Sequence, residues 1–176
     1  AEIHYWHGFD RVINGLAEYY KSNPKYMVFF HIIGDFSGDR EKNEILNPIL
    51  KNKLEKYITI HGSQHGSKLD ELFELADIGI GSLARHRCGI SNIKTLKNRE
   101  YAARGLGFVY SEIDEDFEEM PYIIKAPADE TPLNISSIVE FYKNHNLNPI
   151  DIRKTIEPNL SWKNQMQKVI FSIFAT

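Results

Sequence analysis

The residues that could do chemistry are concentrated between positions 82 and 105. An apolar segment, residues 77–82, predicts a buried strand, and a predicted helix closes the region at Gly105. The charged or titratable residues of this region include Arg85, His86 and Arg87 in the loop and Lys97 and Glu100 in the helix. A strand, a basic loop and a helix N-terminus together can hold an anion, and a carboxylate early in the helix can reach hydroxyl groups beside it. The segment therefore predicts a ligand that carries both phosphate and hydroxyl groups.

The rest of the chain predicts an α/β scaffold for this segment. Strand candidates are residues 26–33, 57–61, 77–82, 108–110 and 122–124. Helix candidates are residues 10–21, 40–56, 67–76, the segment up to 105, 135–142 and 162–173. Alternation of strands with helices of this length predicts a doubly wound, parallel, Rossmann-like sheet followed by C-terminal helices. Ligands of such sheets bind outside the carboxyl ends of the strands, which here are Gly34, His61–Gly62, Ser82 and Tyr110–Ser111.

Local patterns add four expectations about packing. The apolar run 26–33 suits a strand buried on both faces. In the helix after position 40, Ile45, Ile49 and Leu50 should face inward. Residues 67–70 resemble a capping box. The acidic run 112–119 is most simply a solvated loop or helical turn.

Composition restricts the classes of function. The chain has 176 residues with a formal net charge of -3, so it has no general attraction for nucleic acid or an anionic membrane. We expect a single domain over residues 1–176, cut from a longer protein because the first residues resemble the end of an element. Cys88 is the single cysteine, which fits a reducing compartment. No apolar run is long enough to span a membrane, and no signal peptide is recognisable.

Several common catalytic motifs are missing from the sequence. It contains no Gly-x-Gly-x-x-Gly, no P-loop and no Gly-x-Ser-x-Gly elbow. The histidines show no His-Glu-x-x-His spacing and have no cysteine partners, so no metal site is expected. From the pattern alone, the basic loop and helix could equally be a solvated surface.

A series of segments resembles the glycosyltransferases. The series comprises residues 6–11, 31–35, 60–62, 69–82 and 96–105. In order and spacing it is similar to the C-terminal, nucleotide-sugar-binding lobe of family 4 retaining enzymes, which have two Rossmann-like lobes (GT-B). The resemblance runs from about Trp6 to the last helix. It implies a lobe that binds a UDP- or GDP-linked sugar, with no cofactor or metal.

The resemblance assigns roles to the helix and its approach. The second Glu of the family's Glu-(seven residues)-Glu motif falls on Glu100, which would accept hydrogen bonds from the ribose hydroxyls. The first Glu of this motif falls on Asn92, so this chain departs from the family at the position that contacts the sugar. Backbone N–H groups around Lys94, Thr95 and Leu96 would meet the diphosphate.

Other implied contacts lie at the strand ends. The nucleotide base would lie near His61–Gly62, and Gly34 and Ser82 end neighbouring strands. Gly62 and Gly34 could equally be glycines that are required only by the backbone conformation of their turns.

A second departure concerns the positive charge that neutralises the leaving diphosphate. The family has Lys before the glycine that corresponds to Gly8, where this chain has His7, and an upstream Arg that falls on Ala1. His7 could donate a hydrogen bond or carry charge as imidazolium. The candidates to replace the missing charge are Arg85, His86, Arg87 and Lys97. His7 could also be an ordinary loop histidine, and Lys97 could simply pair within its helix.

Taken together, the resemblance implies transfer of a hexose, with retention, to a glycan or lipid-linked acceptor. The acceptor would bind the absent N-terminal lobe, which the terminal helix, residues 160–176, would contact. Enzymes of this kind act in polysaccharide biosynthesis in the cytoplasm, at the inner face of a membrane with which the whole enzyme could associate peripherally. Two other hypotheses remain open: a non-catalytic nucleotide-binding or interaction module on the same fold, and a related hydrolase or epimerase.

Overall fold

A computed structural model describes residues 2–174. The strands are β1 (Glu2–Ile3), β2 (Phe30–Ile32), β3 (Asp35–Phe36), β4 (Ile58–Ile60), β5 (Ile78–Ile80), β6 (Gly107–Tyr110) and β7 (Ile123–Lys125). The helices are α1 (Phe9–Lys21), α2 (Asp39–Lys51), α3 (Gly66–Glu74), α4 (Leu96–Arg104), α5 (Ile135–Asn144), α6 (Pro149–Leu160) and α7 (Trp162–Phe174). This order confirms the predicted α/β, Rossmann-like class with C-terminal helices.

All strand pairs are parallel, but the strands do not form one continuous sheet. β2 pairs with β4, β5 pairs with β6, and β6 pairs with β7. The short strand β1 pairs with β3, which follows β2 closely in the chain. β2 and β5 are not hydrogen-bonded to each other, so the predicted doubly wound sheet is divided between them.

Two hydrophobic clusters support the strands. In the larger cluster, α1 buries Val12, Ile13 and Leu16 against β2, β4 and α2. The apolar positions of α1 recur at helical spacing, which explains why one face of this helix is buried and the other is not. The smaller cluster joins α4 and α6 to β6 through Ala102 and Phe108. The ligand edge of the β5–β6 pair is thus held between two packed layers.

Four packing expectations need correction. The run 26–33 forms a strand only at β2, and Met27 and Phe29 are 57% and 58% exposed because no strand covers this side of β2. Leu50 is 61% exposed, since α2 turns it away from Ile45 and Ile49. α3 begins at Gly66 with no side-chain cap, so the capping box is not formed. The acidic run is not simply solvated, as described below.

The terminal helix α7 has no buried residue among those described. Trp162, Phe171 and Phe174 are 80%, 72% and 80% exposed. Among the described residues this apolar helix face is open to solvent, and its contact with another lobe stays a prediction. The end of the predicted segment, like Ala1, lies outside the described residues. Within residues 2–174, no helix combines the length and the apolar character that a membrane crossing requires.

Candidate functional site

Helix α4 starts where the sequence predicts an anion site. Thr95 is its N-cap, and the Thr95 hydroxyl accepts the Asn98 backbone N–H at 3.3 Å. Leu96, the first helical residue, is 80% exposed. The first backbone N–H groups of a helix have no acceptor within it, so those of Leu96 and Lys97 are available to a ligand. Their contact with a diphosphate stays a prediction.

A buried carboxylate on the loop after β6 fixes this helix start. Asp114 is fully buried and accepts hydrogen bonds from Asn98 Nδ2 at 3.1 Å and from Arg99 Nη1 at 3.0 Å and Nη2 at 3.2 Å. Lys94, just ahead of the helix, pairs with Asp116 at 3.1 Å. A bidentate arginine–carboxylate pair holds both position and orientation. The N-terminus of α4 is therefore tied to the carboxyl end of β6.

The loop around Gly8 is packed against the end of β5. Gly8 has φ +70°, and a Cβ there would lie 2.8 Å from Leu83 Cβ. The backbone N–H of Leu83 donates to the His7 carbonyl at 3.1 Å, and that of Ala84 donates to the Trp6 carbonyl at 3.2 Å. Gly8 is thus required both by its backbone conformation and by this close approach. The result brings His7 to the ligand edge of β5.

His7, Arg85 and Lys97 form a group that we call the basic cluster. Burial lowers the pKa of His7 to about 3, helped by the positive charges of Lys97 and Arg85. Burial and the charge of Arg85 also lower the pKa of Lys97 to about 8. The three side chains share two aromatic neighbours: His7 stacks on Phe9, whose ring centroid lies 5.5 Å from the Lys97 amine, and Arg85 lies against Trp6, whose ring also contacts His7. Among the described residues, neither Lys97 nor Arg85 forms an ion pair.

Ser82 positions Arg85 within the basic cluster. The Ser82 hydroxyl is buried and accepts a hydrogen bond from Arg85 Nε at 3.4 Å, while the guanidinium lies 5.4 Å from the Trp6 ring centroid. The Ser82 carbonyl also accepts the Ser111 backbone N–H at 3.1 Å, which joins the ends of β5 and β6. Ser82 therefore acts on the site through Arg85 and the backbone.

His7 is a neutral hydrogen-bond donor rather than a charged group. Its Nδ1 accepts the His4 backbone N–H at 3.0 Å, which leaves the proton on Nε2. The lowered pKa keeps the ring neutral near neutral pH. This corrects the expectation that His7 could carry charge as imidazolium, and it leaves donation from Nε2 as the available role.

Arg87 is occupied by other residues and does not supply free charge. Its guanidinium contacts Asp10 at 2.7 Å, Glu130 at 3.0 Å and the Tyr5 carbonyl at 2.8 Å. Hydrogen bonds to Glu130 and Asp10 raise the pKa of Arg87, and those from Arg87 lower the pKa of Glu130 to about 2. His86 also pairs with Glu130, at 2.7 Å. The carboxylates of Asp10 and Glu130 thus already engage Arg87, and its candidate role in leaving-group stabilisation stays a prediction.

Glu112 is a buried carboxylate beside the basic cluster. Only 2% of it is exposed, and neither side-chain oxygen makes a hydrogen bond of normal geometry to a described residue. Burial raises the pKa of Glu112, against the opposing effects of nearby backbone N–H groups and of Arg85. The charge of Glu112 in turn raises the pKa of Lys97, which places it near that amine. Glu112 and Asp114 overturn the expectation of a solvated acidic run.

Glu100 and Asn92 are both accessible from solvent. Glu100 accepts a hydrogen bond from Arg104 Nε at 3.3 Å and leaves 47% of its side chain exposed. Lys97 forms no ion pair with Glu100 among the described contacts, so the expected pairing of Lys97 within its helix is not formed with this residue. Asn92 lies on an exposed segment bridged to Ile113. Their roles toward the ribose and the sugar stay predictions.

The carboxyl ends of β2 and β4 meet in one turn. The Gly34 backbone N–H donates to the Gly62 carbonyl at 2.9 Å, and Gly62 has φ +66°. Asp35 accepts the backbone N–H and hydroxyl of Ser63, at 3.1 and 2.6 Å, and these bonds lower its pKa. His61 Nε2 lies 2.8 Å from Nδ1 of His31, and the two rings stack. The turn is well defined, which supports the reading that its glycines serve the turn itself.

Arg85, Glu112 and Asp114 are the site residues that sequence reasoning ranked too low or missed. Arg85 is one of several equivalent cations in the loop, and it differs from Arg87 in forming no ion pair with any described residue. Glu112 lies two residues after the end of β6, and that position at the ligand edge was the available signal. Across residues 2–174, no three His, Cys, Asp or Glu side chains converge in a way that could hold a metal ion.

Comparison with solved structures gives the same fold for this chain. The HepE protein of Anabaena, solved in complex with UDP, is 14% identical with a TM-score of 0.76, over 100% of this chain and 47% of that one. A glycosyltransferase from Rickettsia africae is 18% identical with a TM-score of 0.72, over 97% of this chain and 44% of that one. The C-terminal domain of the group 1 glycosyl transferase LpcC from Francisella tularensis is 15% identical with a TM-score of 0.62, over 92% of this chain and 83% of that one.

These similarities define the fold class. The chain has the Rossmann-like fold of a GT-B glycosyltransferase lobe. It spans less than half the length of the HepE and Rickettsia structures. No family of known sequences matched the chain, and no curated protein matched it either.

Proposed function

We propose that this chain is the donor-binding lobe of a glycosyltransferase and binds a nucleoside diphosphate sugar, UDP- or GDP-linked. The observation that carries the proposal is the basic cluster. Within residues 2–174 neither Lys97, in the first turn of α4, nor Arg85, on the loop after β5, forms an ion pair. Burial keeps the pKa of Lys97 low. An unpaired, half-buried cation is costly unless an anion binds it. The complex of HepE with UDP, on the same fold, supports a nucleotide as that anion.

The proposed chemistry is electrostatic. As the bond between sugar and diphosphate breaks, negative charge develops on the β-phosphate. Lys97, Arg85 and the N–H groups of Leu96 would stabilise this charge, and His7 Nε2 would donate one more hydrogen bond. Glu100 would accept hydrogen bonds from the ribose hydroxyls. A second lobe would bind the glycan or lipid-linked acceptor, so hexose transfer with retention belongs to the larger protein, in polysaccharide biosynthesis at the cytoplasmic face of a membrane.

A non-catalytic nucleotide-binding module is the second candidate. The observation that favours it is Asn92, which offers an amide where the resemblance implies a carboxylate that contacts the sugar. The candidates differ in one measurable respect. An enzyme should bind the nucleoside diphosphate sugar at least as tightly as the nucleoside diphosphate, whereas a module that reads only the nucleotide should be indifferent to the sugar.

Calorimetric titration with UDP, GDP and their 2′-deoxy analogues tests the proposal. We expect one of the two ribonucleotides to bind, and its 2′-deoxy analogue to bind about tenfold more weakly because Glu100 loses one donor. In Glu100→Gln this preference for ribose should shrink. Glu140→Gln, at an exposed position of α5, is the matched control and should preserve the preference. Binding of neither nucleotide, or a ribose preference unchanged in Glu100→Gln, would count against the site.

A further inference from the structure

Five exposed lysines gather at the end of the strands opposite the ligand edge. Because β2 and β4 are parallel, the turns that lead into them lie side by side there, and the Phe30 backbone N–H donates to the Tyr57 carbonyl at 2.8 Å. The C-termini of α1 and α2 run directly into these two turns. We call this surface the lysine face, and its lysines are Lys21, Lys25, Lys51, Lys53 and Lys56.

The lysine face carries positive charge that the fold does not neutralise. In its two segments, residues 18–29 and 50–57, the carboxylates are Glu18 and Glu55, two against five lysines. Within residues 2–174, none of the five lysines forms an ion pair. The whole chain has a formal net charge of -3, so this excess is local and acts over about 10 Å at 0.1 M salt. A broad anionic surface that comes into contact would be attracted here and not elsewhere.

Lys53 occupies a backbone position that is costly for a lysine. It follows the C-cap residue of α2 and has φ +55°. Its N–H donates to the Leu50 carbonyl at 3.2 Å, and the Leu54 N–H donates to the Ile49 carbonyl at 3.0 Å, the pattern that closes a helix on a left-handed residue. Glycine is the usual residue there because a Cβ is strained at positive φ. An exposed lysine at this position points to a role outside the fold.

Local effects account for only two of the five lysines. Lys21 and Lys51 are the last residues of α1 and α2, where a positive charge complements the helix dipole. Lys25, Lys53 and Lys56 lie on turns outside the helices. Their ammonium groups have no anionic partner among the described residues, so nothing in the fold explains the choice of lysine at these three positions.

The side chains of the lysine face suit an anionic lipid surface better than a nucleic acid. Its two segments contain no arginine, whose planar guanidinium binds a phosphate through two hydrogen bonds. Lysines act as mobile point charges, which is sufficient for a fluid layer of anionic headgroups. Tyr26 and Tyr57 lie among them, with ring centroids 5.5 Å from the Lys25 ammonium and 4.7 Å from the Lys56 ammonium. Tyrosine suits the headgroup level of a membrane because its ring is apolar and its hydroxyl is polar.

We propose that the lysine face docks this chain on a lipid surface that carries anionic headgroups. The ligand edge lies at the other end of the strands, so docking in this way leaves the edge accessible to a nucleotide. This inference does not depend on the proposed nucleotide function. A nucleic acid is the rival partner.

Flotation with lipid vesicles tests the proposal. One preparation is phosphatidylcholine alone, and in the other about one third of the lipid is phosphatidylglycerol. We expect the chain to bind the anionic vesicles more tightly than the neutral ones, and to lose this preference as salt rises from about 0.1 to about 0.5 M.

Paired substitutions make the location specific. A lysine near an anionic surface contributes about fivefold in affinity, so Lys53→Gln combined with Lys56→Gln should weaken binding to anionic vesicles about tenfold or more. The matched control is Lys42→Gln combined with Lys68→Gln, at exposed positions near the N-termini of α2 and α3, and it should bind as the unchanged chain does. Equal binding to the two kinds of vesicle, or an equal loss in the two double variants, would overturn the proposal.

Lys53→Gly separates the charge of this residue from its effect on the fold. Glycine relieves the left-handed strain, so Tm should rise while binding to anionic vesicles falls about fivefold. Unchanged vesicle binding by Lys53→Gly would contradict the proposal. So would binding of a short RNA duplex that is as tight as vesicle binding and that Lys53→Gln with Lys56→Gln weakens to the same extent.

Discussion

Replacing Lys97 with methionine removes the charge of the basic cluster while keeping most of the aliphatic length of the side chain. Burial and Arg85 lower the pKa of Lys97 from 10.5 to about 8. At about 1.36 kcal/mol per pKa unit, the fold holds this cation at a cost of up to ~3 kcal/mol. A bound diphosphate can return that free energy, and a charge-assisted contact contributes about 1.5–3 kcal/mol. We therefore expect the Kd for the nucleoside diphosphate to rise by about 10- to 100-fold.

The same substitution should not weaken the fold. The methionine keeps the stem beside Phe9, whose ring centroid lies 5.5 Å from the Lys97 amine, and it no longer buries a charge. Calorimetric titration gives the affinity and thermal unfolding gives the stability. Lys51→Met, at the exposed last residue of α2, is the matched control for loss of one positive charge. A role for Lys97 in anion binding is contradicted if Lys97→Met binds nucleotide within about twofold of the unchanged chain, or if Lys51→Met weakens binding equally.

Three further outcomes are expected. Nucleotide affinity should fall as pH rises through about 8, where Lys97 loses its proton, and this fall should be absent in Lys97→Met. Because the pKa of Lys97 is lower in the folded chain than in the unfolded chain, the stability of the fold should rise between about pH 8 and pH 10.5. Glu112→Gln should stabilise the fold by about 1 kcal/mol at pH 7, because no carboxylate is then buried at this position. Since burial raises the pKa of Glu112 in the folded chain, the unchanged protein should lose stability as pH rises above 4.5, and the variant should not. Denaturant unfolding at several pH values measures both effects. Arg87→Met should cost about 2 kcal/mol of stability, because Asp10 and Glu130 lose their partner. Nucleotide affinity should change less than about twofold; a large loss of affinity in a folded variant would show that Arg87 takes part in nucleotide binding.

Hydrophobic periodicity determined much of the scaffold. The helices around α1 and α5 were predicted from apolar residues at helical spacing, and the strands β4, β5, β6 and β7 from short apolar runs near turn residues. The ligand edge followed because parallel strands end on one side. These features depend on neighbours in the chain, which a sequence displays directly. The position of Glu100 on α4 and of Gly8 before α1 belongs with them.

Partners distant in the chain decided the rest. Arg85 and Arg87 are two residues apart and of one type, yet only Arg87 meets Glu130, 43 positions away. The burial of Asp114 also depends on residues distant in the chain, because Asn98 and Arg99 of α4 pack onto it. Met27 and Phe29 look like the residues of a fully buried strand, but they are exposed because the sheet is open beside β2. Pairing of charges and pairing of strands are properties of three-dimensional neighbours, so only the tertiary structure could show which cations are free of ion pairs among the described residues and where the sheet is divided.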